Sequence, residues 1–313
     1  MALTVPTMFR KVSFEEAAAY SPWPERIKTN KPWKNDRNPE LVREEYNKRY
    51  KALLDTWKKH VEENTQLPAA LLAPTFLAKF DAFNWKQILA APQIYGEVTP
   101  EESLISFQGE LYVGNALVAE GMFRQMVVEV TNQVAHKFAC HSILELGCGT
   151  GYNLVKIATQ LGLKCYGTDL SPHVIEFLVN MAETSGIDIT ANVGNYLEDE
   201  LCAMVDEDQD WGVLSVHAIE QVPVLGIDWF GRLLGAANSP KFGLHFEPIH
   251  SSEPSEFSDQ CLAYAKINDY NRSLSEAANK AQELGMIEII DFKPYIIGST
   301  AFNPTGMLLW RKI

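Results

Sequence analysis

The chain has 313 residues, 46% of them hydrophobic, enough for one large core or a core with an accessory region. Its formal net charge of −13 argues against nucleic acid or an anionic membrane as partner, because phosphate recognition needs a basic face. Five cysteines (Cys140, Cys148, Cys165, Cys202 and Cys261) with no Cys-x-x-Cys pair predict reduced thiols in a cytoplasmic chain, not a disulfide framework or a zinc site.

Met1 to Lys11 lacks the apolar core of a secretory signal, and no apolar run is long enough to span a bilayer. Residues 1 to about 40 are rich in Pro, Trp, Lys and Asn, and Ser21-Pro-Trp-Pro24 and Lys31-Pro-Trp33 break helices. They predict a meandering segment whose Trp23 and Trp33 pack on the body, or else a flap over the active site. From Asn38-Pro39 to about Asn64, Tyr46, Tyr50, Leu53, Leu54 and Trp57 recur at helical spacing. Shorter helices are expected between Pro68 and Leu89, interrupted at Pro74. From Asn115 to Phe138, Val118, Met122, Met126, Val127, Val130 and Val134 form one apolar helical face. Residues 1–113 therefore read as a helical cap and substrate lid, and 114–313 as the core domain.

Beyond residue 140 the chain alternates apolar strands with amphipathic helices. Strands are predicted at Ser142–Leu146, Lys164–Thr168, Asp188–Val193, Gly212–His217, Lys241–Phe246, Met286–Phe292 and Met307–Arg311. Helices are predicted near 152–161, 172–184, 226–237 and 257–284, the last within an insertion around 250–284. Seven strands with helical crossovers imply an α/β fold, an open and mostly parallel sheet covered on both faces. Lys293–Thr305 carries no helix, so the last strand is expected to be antiparallel.

Ile143-Leu-Glu-Leu-Gly-Cys-Gly-Thr-Gly-Tyr152 reads as strand, tight turn and helix. The glycines let the backbone adopt positive φ and approach a ligand, and the helix N-terminus offers free N–H groups. The stretch resembles motif I of the class I (Rossmann-like) S-adenosylmethionine-dependent methyltransferases, Glu-x-Gly-x-Gly-x-Gly. It departs from the dinucleotide fingerprint Gly-x-Gly-x-x-Gly, which disfavours an NAD-linked oxidoreductase. The resemblance implies S-adenosylmethionine as cofactor and a last strand inserted antiparallel beside the sixth.

The strand ends supply the rest of the cofactor site. Asp169 follows Gly147 by about 22 residues, the separation at which an acid meets a ribose. In the family resembled, this position holds the adenosyl ribose; its other reading is a cap of the next helix. Glu145, Gly147, Gly149 and Gly151 are expected around the methionine part. The resemblance implies that Asn195 accepts from the adenine amino group and that Tyr196 lies against the ring; both residues could equally form a turn. It also places His217 and Glu220 between cofactor and substrate.

The fifth strand ends His245-Phe-Glu-Pro-Ile-His250. A general base at His217, His245 or His250 is one expectation, with Glu247 near the substrate. His245 and Glu247 share a strand face, but without further ligands in pattern no metal is expected. Tyr264 and Asn268 share a helical face and either bind a polar substrate or are solvated. Asn303-Pro-Thr-Gly306 resembles the Asn-Pro-Pro-Tyr motif of amino methyltransferases, but it follows the sixth strand, not the fourth, and reads as a turn.

The leading expectation is a methyltransferase acting on the oxygen, nitrogen or sulfur of a small-molecule metabolite, without nucleic-acid or membrane partners. A protein methyltransferase and a non-catalytic cofactor-binding partner protein are the alternatives, and a homodimer is left open.

Overall fold

Ile143 and Leu144 are adjacent in one strand and both fully buried, so apolar matter covers both faces of the sheet. The structure, a computed structural model, describes residues 4–32, 39–78, 102–198, 200–206, 210–222, 224–251 and 253–313, and of 39–47 and 49 the backbone alone. Trp33 and the helices expected over 79–89 lie outside the described residues.

The strands are β1 (Arg10–Lys11), β2 (Ser103–Phe107), β3 (Glu110–Gly114), β4 (Ser142–Leu146), β5 (Lys164–Asp169), β6 (Ile189–Val193), β7 (Trp211–Val216), β8 (Phe242–Phe246), β9 (Ile287–Gly298) and β10 (Thr305–Lys312). The helices are α1 (Phe14–Ala17), α2 (Trp23–Lys28), α3 (Pro39–Glu63), α4 (Ala116–Lys137), α5 (Tyr152–Leu161), α6 (Pro172–Ser185), α7 (Ile227–Gly235), α8 (Glu256–Ile267) and α9 (Leu274–Glu283), with a further helical stretch over 69–78.

Among the described residues ten strands form one sheet in the order β1-β3-β2-β9-β10-β8-β7-β4-β5-β6. β4 pairs in parallel with β5 and β7, and β7 with β8. β10 is antiparallel to both β8 and β9, inserted between them as expected. The sheet is larger than the seven strands expected. The segment read as a helical cap also supplies β1, β2 and β3, and β2 pairs with the far end of β9 through Phe107 and Ile297. Leu104, Ile105, Phe107 and Leu111 are all buried, which an apolar run without clear alternation concealed. The stretch 257–284 is two helices, because Asn271 breaks it: its Oδ1 accepts from the amides of Ser273 and Leu274.

Local chemistry explains the core helices. Asn115 caps α4, its Oδ1 accepting from the amides of Leu117 and Val118. Ser171 caps α6, with Pro172 in the first turn. One face of the sheet packs Ile143, Leu214 and Leu244 against α4, α5 and α6; the other packs Leu144, Val213 and Trp310 against α7 and α9. α3 lies outside α6, where the buried Trp57 donates its Nε1–H to Asn180 at 2.9 Å. The N-terminal segment docks on α8, with Trp23 edge-on to Tyr264 at a centroid distance of 4.4 Å.

Candidate active site

The glycine turn follows β4. Gly147 has φ 59°, and a Cβ there would lie 2.7 Å from the Cβ of Ala218, so the turn and the loop after β7 touch through a missing side chain. Gly149 has φ 50° and faces open space. Its amide donates to Asp169 Oδ2 at 3.1 Å, and the amide of Ser171 donates to Oδ1 at 2.9 Å. Burial raises the Asp169 carboxyl above its ordinary range, against the pull of these amides. Ser171, not Asp169, caps α6.

Glu145 is buried on the α5 side of β4. Its Oε1 accepts from Asn153 Nδ2 at 2.7 Å, while Oε2 is buried with no hydrogen-bond partner. Burial pushes its carboxyl up to about 8. A buried acceptor without a donor calls for one, and a ligand ammonium fits it. Beyond Asp169, Leu170 is 60% exposed and Val193, ending β6, 53% exposed, an apolar flank that a planar group would cover. Both are apolar residues at strand ends, a signal passed over in the sequence. Asn195 turns the chain after β6, its Oδ1 accepting from the amide of Leu197. Tyr196 is a brace, not a free ring: it is buried, and its hydroxyl donates to the carbonyl of Ala218 at 2.9 Å.

The loop after β7 is built by Glu247, whose buried carboxylate accepts from the amides of Ala218, Ile219 and Glu220, each at 3.1 Å. Burial pushes Glu247 up to about 7, opposed by the nearby His217. The expectation that Glu247 meets substrate is corrected: its lone pairs serve the backbone. His217 takes φ 52°, a strained conformation for a non-glycine residue, with its amide held by the carbonyl of Phe246 at 2.9 Å. Its Nδ1 lies 2.9 Å from Glu220 Oε2 and its Nε2 2.6 Å from Thr305 Oγ1. Burial pulls the imidazole pKa down, but the carboxylates around it, Glu220 foremost and then Glu247 and Glu120, outweigh this together, and the ring reaches about 9. His217 is therefore a cation at neutral pH with both nitrogens engaged, which removes it as a general base. Asn303 donates Nδ2–H to Glu220 Oε2 at 3.0 Å. The turn read as structural thus closes on the loop after β7.

Three further expectations are corrected. His245 is fully buried on the α7 side of the sheet, opposite to Glu145: its Nδ1 meets Ser215 Oγ at 2.9 Å and its Nε2 accepts from Trp310 Nε1 at 2.9 Å. Burial drives it down to about 3, so it is a neutral core residue and not a base. His250 lines a different cavity with Arg272 and Glu276; burial, with Arg272 nearby, holds it down to about 4. Tyr264 and Asn268 are buried, not solvated, and line neither this cavity nor the one at Asn153. Tyr264 packs on Trp23, and Asn268 donates to the carbonyl of Tyr264 at the end of α8.

A cavity of about 330 Å³ opens between α4, the start of α5, the end of β7 and the β9–β10 turn, lined by Glu120, Arg124, Asn153, His217, Asn303 and Thr305 among others. It meets the glycine-turn site at Asn153, the residue that holds Glu145. Arg124 pairs with Glu120 at 2.9 Å and stacks 3.9 Å over the Tyr152 ring; Ser299 donates to Glu120 at 3.0 Å. Among the described residues no cluster of three or more His, Cys, Asp or Glu is placed to hold a metal ion.

Residues 143–228 match the family model described as methyltransferase domain. No curated protein matches the chain. Similar solved structures include WbdD, 17% identical at TM-score 0.41, with 60% of this chain and 40% of that chain covered. The chain thus spans about 40% of the length of that relative. The mitomycin 7-O-methyltransferase MmcR is 17% identical at TM-score 0.42, covering 63% of this chain and 57% of its own. The geranyl diphosphate C-methyltransferase from Streptomyces coelicolor A3(2), in complex with Mg2+, geranyl diphosphate and S-adenosyl-L-homocysteine, is 13% identical at TM-score 0.42, covering 59% of this chain and 79% of its own.

Proposed function

We infer that this chain, a class I S-adenosylmethionine-dependent methyltransferase by the segment it shares with that family and by its strand order, methylates a small molecule. The observation that supports a small acceptor is the cavity of about 330 Å³ beside the glycine turn, within the size range of small-ligand sites. The net charge of −13 agrees with an acceptor that is not nucleic acid.

S-adenosylmethionine, when bound, supplies an electrophilic methyl group on a sulfonium. In this reading Glu145 accepts from the methionine ammonium, which supplies the donor its Oε2 lacks. Asp169 accepts from the ribose hydroxyls with the lone pairs left over from the Gly149 and Ser171 amides. Leu170 and Val193 flank the adenine and Asn195 meets its amino group. The cavity lined by Asn153 and His217 would then hold the acceptor, next to the site that would hold the methionine end. We treat residues 1–113 as a lid region and 114–313 as the part that carries the machinery.

The test is transfer of labelled methyl from S-adenosylmethionine into a filtered metabolite extract and, separately, into the extract's protein fraction. Label in small, acid-soluble products is expected. Label confined to acid-precipitable protein would replace this reading with a protein acceptor, and binding of the cofactor without transfer to either would favour a non-catalytic partner protein.

A further inference from the structure

The acceptor cavity holds few groups that titrate. On the α4 wall, Glu120 is tied to Arg124 and to Ser299. On the opposite wall, His217 spends Nδ1 on Glu220 and Nε2 on Thr305. Among the described lining residues the one carboxylate, Glu120, has each oxygen already engaged, Oε1 by Arg124 and Oε2 by Ser299. What the second wall offers is a row of donors: the edge of His217, paired with Glu220, with Thr305 and Asn303 beside it. While Nε2–H donates to Thr305 Oγ1, the Thr305 hydroxyl keeps its own proton to give away. Glu220 balances the imidazolium from behind but does not line the cavity.

We propose, resting on the methyltransferase reading above, that the acceptor is a small carboxylate. It seats an anionic oxygen against Thr305, Asn303 and the edge of His217, and it is methylated without a base from this chain. A carboxylate oxygen needs no base: its lone pair forms the new O–C bond as the C–S bond breaks, and the electron pair of that bond leaves on sulfur. A sulfonium and a carboxylate become a thioether and a methyl ester, and no proton moves. A neutral amine or thioether would instead gain positive charge beside a fixed imidazolium, which opposes transfer. A neutral hydroxyl would need a base; the His217 wall supplies none, and Glu120 across the cavity is engaged by Arg124 and Ser299.

The polarity of the wall depends on His217, which is faced by Glu220 on its own loop, Glu247 from the end of β8 and Glu120 from α4; Phe123 meets it edge-on at 5.6 Å. All three charges are carboxylates, and Glu220 is the one in hydrogen-bond contact. They keep the ring protonated up to about pH 9. Above that, a neutral Nε2 accepts from Thr305, and the hydroxyl turns from donor to acceptor toward the cavity.

The test uses the full chain. Calorimetry with S-adenosylhomocysteine comes first: if it does not bind, the methyltransferase reading fails by itself. The saturated complex is then titrated with benzoate and with its neutral isostere benzamide. At pH 7 benzoate should bind at least tenfold more tightly. Thr305→Val should reduce that preference severalfold, and at pH 10, with S-adenosylhomocysteine raised to keep the complex saturated, the wild-type preference should vanish. Benzamide binding as well as benzoate, no binding of benzoate, or a preference unchanged at pH 10 overturns the carboxylate assignment and leaves cofactor binding untouched. Should Thr305→Val fail to fold, the pH comparison decides on the wild-type chain alone.

Discussion

Asn153 Nδ2 donates to Glu145 Oε1 at 2.7 Å, tying the first turn of α5 to the one acid buried in β4. The bond leaves Oε2 without a partner and fixes its direction, so the carboxylate is built to receive one more donor.

Glu145 therefore sets a pH dependence for cofactor affinity. Its carboxyl is raised to about 8 by burial, and binding of an ammonium requires the ionised form. Affinity should climb from pH 6 toward pH 8 as Glu145 ionises, then fall at higher pH as the ligand's amino group loses its proton. Glu145→Gln should weaken S-adenosylhomocysteine by about 2 kcal/mol and abolish the rising limb. Calorimetry across this range checks both; a flat wild-type profile contradicts the assignment.

Asp169→Ala should also weaken cofactor binding, by about 2 kcal/mol, as for a lost charged hydrogen bond. It also frees the amides of Gly149 and Ser171, so Asp169→Asn, which keeps an acceptor oxygen, should lose less. Unchanged affinity in the alanine variant would remove the ribose role.

His245 separates packing from chemistry. His245→Ala should cost about 3 kcal/mol of stability, because it opens a cavity and leaves Trp310 Nε1 without its acceptor. Its turnover at a temperature where the variant is folded should stay within about twofold of wild type. Urea unfolding and an initial-rate assay measure the two quantities, and a 100-fold rate loss with intact folding would return His245 to the chemistry.

His217 and Glu220 couple stability to alkaline pH. The folded-state pKa of His217 lies above its ordinary value, so its contribution is complete below about pH 6.5 and is lost as pH rises through about 9. Glu220→Gln should remove the main cause of the shift. The stability gap between wild type and variant should therefore be largest near pH 6 and shrink toward pH 9.5. Denaturant unfolding at several pH values reads the gap; one that widens with pH reverses the sign and the argument.

Trp23 tests the docking of the N-terminal segment. It is 5% exposed against Tyr264, and Trp23→Ala should cost about 3 kcal/mol. Cofactor affinity should be unaffected, since the glycine turn and Asp169 belong to other elements. A parallel loss of affinity would tie this segment to the cofactor site.

The glycine turn was legible because its information is local. Positive φ at Gly147, Gly149 and Gly151 and the start of α5 follow from residues within one turn of each other, as does the cap at Ser171. The order of the core strands was legible in part, since each helical crossover restricts where the next parallel strand can go. Strands β1 to β3 were not. An all-buried run such as Ser103–Phe107 shows no period, and its place depends on a pairing with β9, nearly two hundred residues later. The acceptor wall depended still more on tertiary structure. Thr305 reaches His217 across 88 residues, and Asn303 reaches Glu220 across 83, because an antiparallel hairpin carries its turn back over the end of β7. Nor could sequence say that both His245 and Glu247 would be buried away from the cavity. Side chains alternate along a strand, so His245 fell on the face covered by α7 and Trp310, while Glu247, beyond the strand end, met three amides that only the folded loop presents. A sequence fixes which groups a chain owns; which of them keep a free lone pair or a proton is decided by what the fold brings within about 3 Å of them.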